Sequence, residues 1–151
     1  MAISRRIVTE AAPEIPALGV RRPIVGVPLR EGQWELSWLS SQIGWLEGTS
    51  YPTLAGNTAL TAHVYDANGL PGAFVHLHTL KWGDVILIRT SNATYHYEVR
   101  EVRRVQPDDL SVLRHEDRDW LTLITCQGYQ EAQDRYQWRV AVRAVLIKVT
   151  R

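Results

Sequence analysis

The chain has 151 residues, 45% hydrophobic and 22% charged, with a formal net charge of +1 at pH 7. That length suits one domain with a core of useful size, and so even a charge balance gives no electrostatic case for a nucleic-acid or membrane-surface partner. The single cysteine excludes an internal disulfide and any zinc site built on several thiolates, and no apolar run reaches the roughly 18 residues a spanning helix needs.

Residues 1–14 read as a tail or irregular arm, and residues 15–151 as the domain. Arg5-Arg6 has no apolar stretch after it, so the start does not read as a signal peptide. Either the protein is cytoplasmic or a leader or anchor has been cut away. Ile15 to Val20 and Pro23 to Val27 read as two strands separated by Arg21-Arg22, and Leu29 to Gly32 as a turn. Trp34 to Trp45 fits an alternating strand or a short helix about equally. Its tryptophans ask for burial, so the segment reads as a lid packed on the domain. Thr58 to Val64 is a strand ending at His63 or just past it, and Tyr65 to Gly72 is turn-rich. Phe74, Leu77 and Leu80 recur at helical spacing, which predicts one or two helical turns.

Val85 to Thr90 and Thr94 to Arg103 are strands joined by the turn Ser91-Asn92-Ala93. Gln106 to His115 is polar, with Asp108-Asp109 placed to open a single helical turn. Leu121 to Cys126 is apolar and β-branched, a strand bounded by charges before and Gln127-Gly128 after. A loop follows to Tyr136, then a long strand from Gln137 to Thr150. About eight strands, little helix and no βαβ alternation predict a mainly β fold, its sheet closed or packed on itself.

Cys126 ends its strand where the sheet gives way to a loop, which gives a nucleophile a rigid support. Taken alone, a lone cysteine reads first as a small buried residue. A thiol nucleophile needs a proton carrier and a group that stabilises the oxyanion. His63, at a strand end beside a loop, is the best carrier. His76 and His78 lie in the helical turn, His96 inside a strand and His115 among charges. For the stabiliser, Arg139 and Arg143 share one face of the last strand. They lie roughly 13 Å apart at the usual rise, so only one easily reaches Cys126, and pattern alone does not choose. Glu116-Asp117-Arg118-Asp119 lacks the spacing of a calcium loop and reads as solvated.

Three segments together resemble the sortases, the cysteine transpeptidases of bacterial cell surfaces. Thr122-Leu123-Ile124-Thr125-Cys126 looks like the family's TLxTC signature. Gly56-Asn57-Thr58-Ala59-Leu60-Thr61-Ala62-His63 resembles the segment that delivers its histidine, with Ala62 where glycine is common. Phe74, Leu77, Leu80 and Gly83-Asp84 resemble the family's stretch beyond that histidine, and Ile15-Pro16-Ala17-Leu18-Gly19-Val20 its first strand. The resemblance assigns the arginine to Arg139.

It implies a closed eight-stranded sortase-type β-barrel with one or two short helices. It implies a transpeptidase that cleaves an LPXTG-like sorting motif through a thioacyl-enzyme on Cys126, with His63 as proton carrier and Arg139 on the oxyanion. Thr125 and Ala62 adjoin that site, and Leu110, Val112 and Leu113, in the loop before the cysteine strand, are candidate substrate contacts. No cofactor or metal is expected. The implied partners are secreted proteins bearing a C-terminal sorting motif and an amine acceptor on the cell envelope or a pilin. The implied location is the extracytoplasmic face of the bacterial membrane, with the family's N-terminal anchor trimmed from this chain. The competing readings are a non-catalytic barrel that binds peptide or glycan, and a cysteine endopeptidase that releases its product to water.

Overall fold

The computed structural model describes residues 7–8, 12–36, 38–39, 41–65, 68–106, 109–114, 116–126 and 139–151. Its strands are β1 (Ile7–Val8), β2 (Ala12–Ile15), β3 (Val20–Arg21), β4 (Ile24–Val27), β5 (Leu29–Arg30), β6 (Gln33–Trp34), β7 (Ile43–Leu46), β8 (Asn57–His63), β9 (Val85–Arg89), β10 (Thr94–Val105), β11 (Trp120–Cys126) and β12 (Arg139–Thr150). Ten of them form one curled sheet in the order β1-β4-β7-β8-β11-β12-β10-β9-β2-β3, and among the described residues β5 pairs only with β6. The fold is mainly β, as expected. It is a half-barrel with edges at β1 and β3, and no ladder closes it among the described residues.

Two strand pairs, β4–β7 and β8–β11, are parallel, and every other ladder is antiparallel. Parallel strands need cover on both faces, and the sequence of β8 provides for it. Leu60 and Ala62 point into the main cluster inside the curl, with Leu121 and Leu123 of β11. Ala59 and Ile124 point the other way, into a second cluster covered by Trp34, Leu36, Trp38, Leu39, Val112 and Leu113. Every residue of β8 is buried.

Several segments differ from the sequence reading. Ile7 and Val8, expected in a tail, pair with β4. The expected strand Ile15 to Val20 is broken by a 3₁₀ turn at Pro16–Leu18, because Pro16 cannot donate to a ladder. Gly19 closes that turn at φ 65°, donating its N–H to the Pro16 carbonyl at 3.1 Å. Leu29–Arg30 belongs to a hairpin strand rather than a turn. Trp34 to Trp45 is neither one strand nor a helix. It leaves β6, turns at Leu36–Leu39, and enters β7, with Trp34, Leu36, Trp38 and Leu39 laid on the second cluster and Ile43 and Trp45 on the main one.

The predicted helical turns appear as 3₁₀ turns at Leu77–Thr79 and Ser111–Leu113. In the second, Asp109 Oδ1 accepts from the Ser111 N–H at 2.9 Å, which satisfies an orphan donor at the start of the turn. Asp108, His115, the loop from Gln127 to Tyr136, and the first two residues of the expected strand Gln137 to Thr150 lie outside the described residues.

Candidate active site

The parallel ladder between β8 and β11 pairs Cys126 directly with His63. Neighbouring strands lie about 4.8 Å apart, so the two backbones are adjacent at one end of the sheet. β12 runs back from that end beside β11, and Arg139 is its first residue. Arg139 Nη1 donates to the Thr125 carbonyl at 3.4 Å, and the Val140 N–H donates to Thr125 Oγ1 at 2.9 Å. Three residues far apart in the chain therefore meet where three central strands end or begin.

Arg143 sits further along β12, opposite Thr122. Its Nε donates to Thr122 Oγ1 at 3.4 Å and its Nη2 to Glu116 Oε2 at 3.1 Å, while its guanidinium lies 4.5 Å from the centre of the Trp120 ring. Arg139 adjoins the end of β11, and Arg143 is built into a cluster lower on the same face. Glu116, read as part of a solvated loop, is Arg143's ion-pair partner.

His63 is almost fully buried, at 9% exposure, and its Nε2 lies 3.0 Å from the Leu36 carbonyl oxygen. Behind it the chain folds back closely. The Gly72 N–H donates to the Val64 carbonyl at 2.8 Å, and Phe74 N–H to the His63 carbonyl at 3.4 Å. A Cβ at Gly72 would overlap the His63 carbonyl oxygen and stand 2.9 Å from its carbonyl carbon. Gly72→Ala is therefore expected to push the His63 backbone aside. We expect a loss of about 1–3 kcal/mol of stability and a fall of about 10–100-fold in any activity that uses His63, read by thermal unfolding and peptide turnover.

The other described histidines are elsewhere. His76 and His78 flank one another with ring centres 6.3 Å apart, and His96 Nε2 lies 3.1 Å from Thr150 Oγ1 on the β10–β12 ladder. His115 is outside the described residues.

On the outer face a cavity of about 120 Å³ has Thr61, Ile124 and Arg139 for a floor. Trp34, Leu36 and Leu46 wall one side, and Asp109, Leu110 and Leu113 the other. Leu110 is 57% exposed at the rim. Val112 is buried beneath the loop, and Ala62 is fully buried in the main cluster, so neither lines this cavity. Thr125 instead lines a larger cavity of about 730 Å³ with Val64, Tyr65, His78, Arg103 and Arg104. Hydrogen bonds from the Ser111 hydroxyl and N–H hold the Asp109 carboxyl below the usual carboxylate range. The smaller cavity is thus an apolar slot with a fixed anion at its rim and a fixed cation at its floor.

The loop that walls this slot is held from below by groups that the sequence reading did not single out. Asn57 Nδ2 donates to the carbonyls of Val112 at 2.8 Å and Arg114 at 3.0 Å, and its Oδ1 accepts from Thr122 Oγ1 at 2.7 Å. An asparagine, a residue depleted in strands, beside the start of the expected strand Thr58 to Val64 was the available signal. Asn57→Ala would leave two carbonyls and a hydroxyl without these bonds in a buried setting. It is expected to cost about 2–4 kcal/mol and to raise KM for any ligand of the slot, checked by chemical denaturation and steady-state kinetics.

The sortase-domain family model matches residues 14–147. Sortase A of Bacillus anthracis is 35% identical over 81 residues, covering 54% of this chain and 38% of that protein. Sortase A of Staphylococcus aureus (strain NCTC 8325 / PS 47) is 25% identical over 138 residues, covering 89% of this chain and 63% of that protein. The chain thus spans less than two thirds of either relative. Among solved structures, a Clostridium perfringens sortase D5 transpeptidase superposes with a TM-score of 0.73 at 28% identity, over 93% of this chain and 79% of that one. Sortase A from Corynebacterium diphtheriae gives a TM-score of 0.75 at 27% identity, over 95% and 62%. With the family model spanning all but the two ends, and the curled sheet shared with these structures, the chain belongs to the sortase family.

Proposed function

We propose that the protein is a cysteine transpeptidase acting on an LPXTG-like sorting motif, with residues 15–151 as its catalytic domain. The observation that carries this reading is the pairing of His63 with Cys126 at the ends of two parallel strands, with Arg139 opening the next. Cys126, as thiolate, attacks the carbonyl that follows the motif's threonine. The electron pair displaced from that carbonyl forms an oxyanion, which accepts hydrogen bonds from the Arg139 guanidinium. The intermediate collapses, the peptide C–N bond breaks, and His63 gives its proton to the leaving amine. A thioester to Cys126 remains. An acceptor amine then attacks, His63 takes a proton from it, and collapse restores the thiolate and leaves a new amide.

The apolar slot suits the aliphatic part of such a motif, with Leu110 and Leu113 as contacts. Val112 supports the loop from beneath, and Thr125 holds the strand ends through Val140 and Arg139. The natural partners in this reading are proteins bearing a C-terminal sorting motif and an amine on the cell envelope or a pilin, met on the outer side of the membrane.

The decisive experiment offers a fluorogenic pentapeptide library of LPXTG type together with a triglycine acceptor. The expected result is cleavage after the threonine and a ligated product with the new amide. Cleavage with water alone as acceptor would favour a hydrolytic endopeptidase. No cleavage, with Cys126 inert to alkylation in the folded protein, would favour a non-catalytic peptide- or glycan-binding domain.

A further inference from the structure

We infer that the main-chain carbonyl of Leu36 is the orienting acceptor for the His63 imidazole, and that Glu47, by docking the hairpin that leads to Leu36, positions this histidine for proton transfer. The inference rests on the reading that His63 carries the proton. A carbonyl oxygen can only accept, so its 3.0 Å contact with His63 Nε2 requires a proton on that nitrogen. The neutral ring is then the Nε2–H tautomer, and the proton that moves during turnover is the one on Nδ1. The same oxygen accepts the Leu39 N–H at 3.0 Å, so it is fixed in a turn and uses both lone pairs. An aspartate or asparagine side chain performs this office in many histidine-dependent sites; here a backbone group does.

The acceptor is carried at the end of a hairpin that stands apart from the main sheet. β5 and β6 pair only with each other, around a turn with Glu31 at φ 52° and Gly32 at φ 78°. Among the described residues, hydrogen bonds tie this hairpin to the end of β7 at Glu47. Leu29 N–H donates to Glu47 Oε1 at 2.9 Å, and Trp34 Nε1–H donates to the Glu47 carbonyl at 2.9 Å. Glu47 is itself anchored, its N–H donating to the Val27 carbonyl at 3.0 Å. Trp34 and Leu36 add to the attachment by packing on the outer cluster. When the hairpin lifts, the Leu36 carbonyl leaves with it and the imidazole loses its orientation.

The test uses the full chain. Nitrogen-15 spectra of labelled histidine, recorded where the ring is neutral, should show His63 protonated at Nε2; protonation at Nδ1 overturns the inference. Glu47→Ala removes the acceptor of the Leu29 N–H. It should lower kcat about 10–100-fold, the range for losing a group that orients a functional histidine, and move the His63 spectrum toward mixed tautomers. Glu47→Gln keeps an oxygen acceptor and should restore both readouts. A folded Glu47→Ala protein with wild-type kcat and an unchanged tautomer overturns the inference. If that variant does not fold, Trp34→Phe, which keeps an aromatic ring but removes the indole N–H donor to Glu47, carries the same two readouts. Should the wild-type protein ligate no peptide at all, the transpeptidase reading falls, while the tautomer measurement still decides the role of Leu36.

Discussion

Replacement of Cys126 by alanine will leave a folded protein that neither cleaves nor ligates a sorting peptide, a fall of about 10⁴–10⁶-fold, the scale set by removing the nucleophile from other covalent catalysts. The expected integrity of the fold follows from how β11 is held. It is flanked by β8 and β12 through main-chain ladders, and neither ladder depends on which side chain stands at position 126. The proposed chemistry, by contrast, depends on it entirely, because the sequence has no second thiol. Circular dichroism and thermal unfolding of the variant check the first half; product formation with and without triglycine checks the second. A variant that still cleaved would remove the thioacyl route. The wild-type thiol should also be alkylated faster as pH rises, since only the thiolate reacts and a free cysteine has a pKa near 8.5.

The second large effect belongs to Arg139. Arg139→Lys keeps the charge but loses the planar fork, which already spends one N–H on the Thr125 carbonyl. An ammonium on a flexible stem cannot hold that carbonyl and face an oxyanion in fixed geometry. We expect kcat to fall about 10²–10³-fold, the usual cost of losing one preorganised oxyanion donor. Arg143→Lys provides the contrast. That side chain is engaged with Glu116, Thr122 and Trp120, so its loss should be read in stability and in the footing of the Ser111–Leu113 turn rather than in kcat. Burst and steady-state kinetics on both variants separate the two roles.

Much of this was legible in the sequence, for identifiable reasons. Alternation in β8 and β10, and short apolar, β-branched runs in β9 and β11, located these strands to within one or two residues at their ends. The punctuation of Asp117-Arg118-Asp119 and Gln127-Gly128 placed Cys126 at a strand end. Other features were hidden because they depend on partners distant in the chain. Nothing local says that Leu36 will lend its carbonyl to a histidine 27 positions later, since every residue carries the same carbonyl. Asn57 is an unremarkable polar residue until the Val112 and Arg114 carbonyls arrive above it. Trp34 and Trp38 show that burial is needed, but not that the sheet's outer face will supply it. Proline's missing donor, visible at Pro16, was outweighed in the reading by the apolar run around it, and the backbone obeyed the proline.

The parallel pairing of β8 with β11 reaches beyond geometry. Two strands can run side by side in the same direction only if the chain travels the length of the sheet and returns, and here residues 64–119 make that journey. No segment that ends before β11 or starts after β8 holds His63 beside Cys126. Catalytic competence is in this sense a reporter of completed tertiary structure: heat, denaturant or a protease nick that undoes the crossover would extinguish turnover in step with global unfolding, without a partly active remnant.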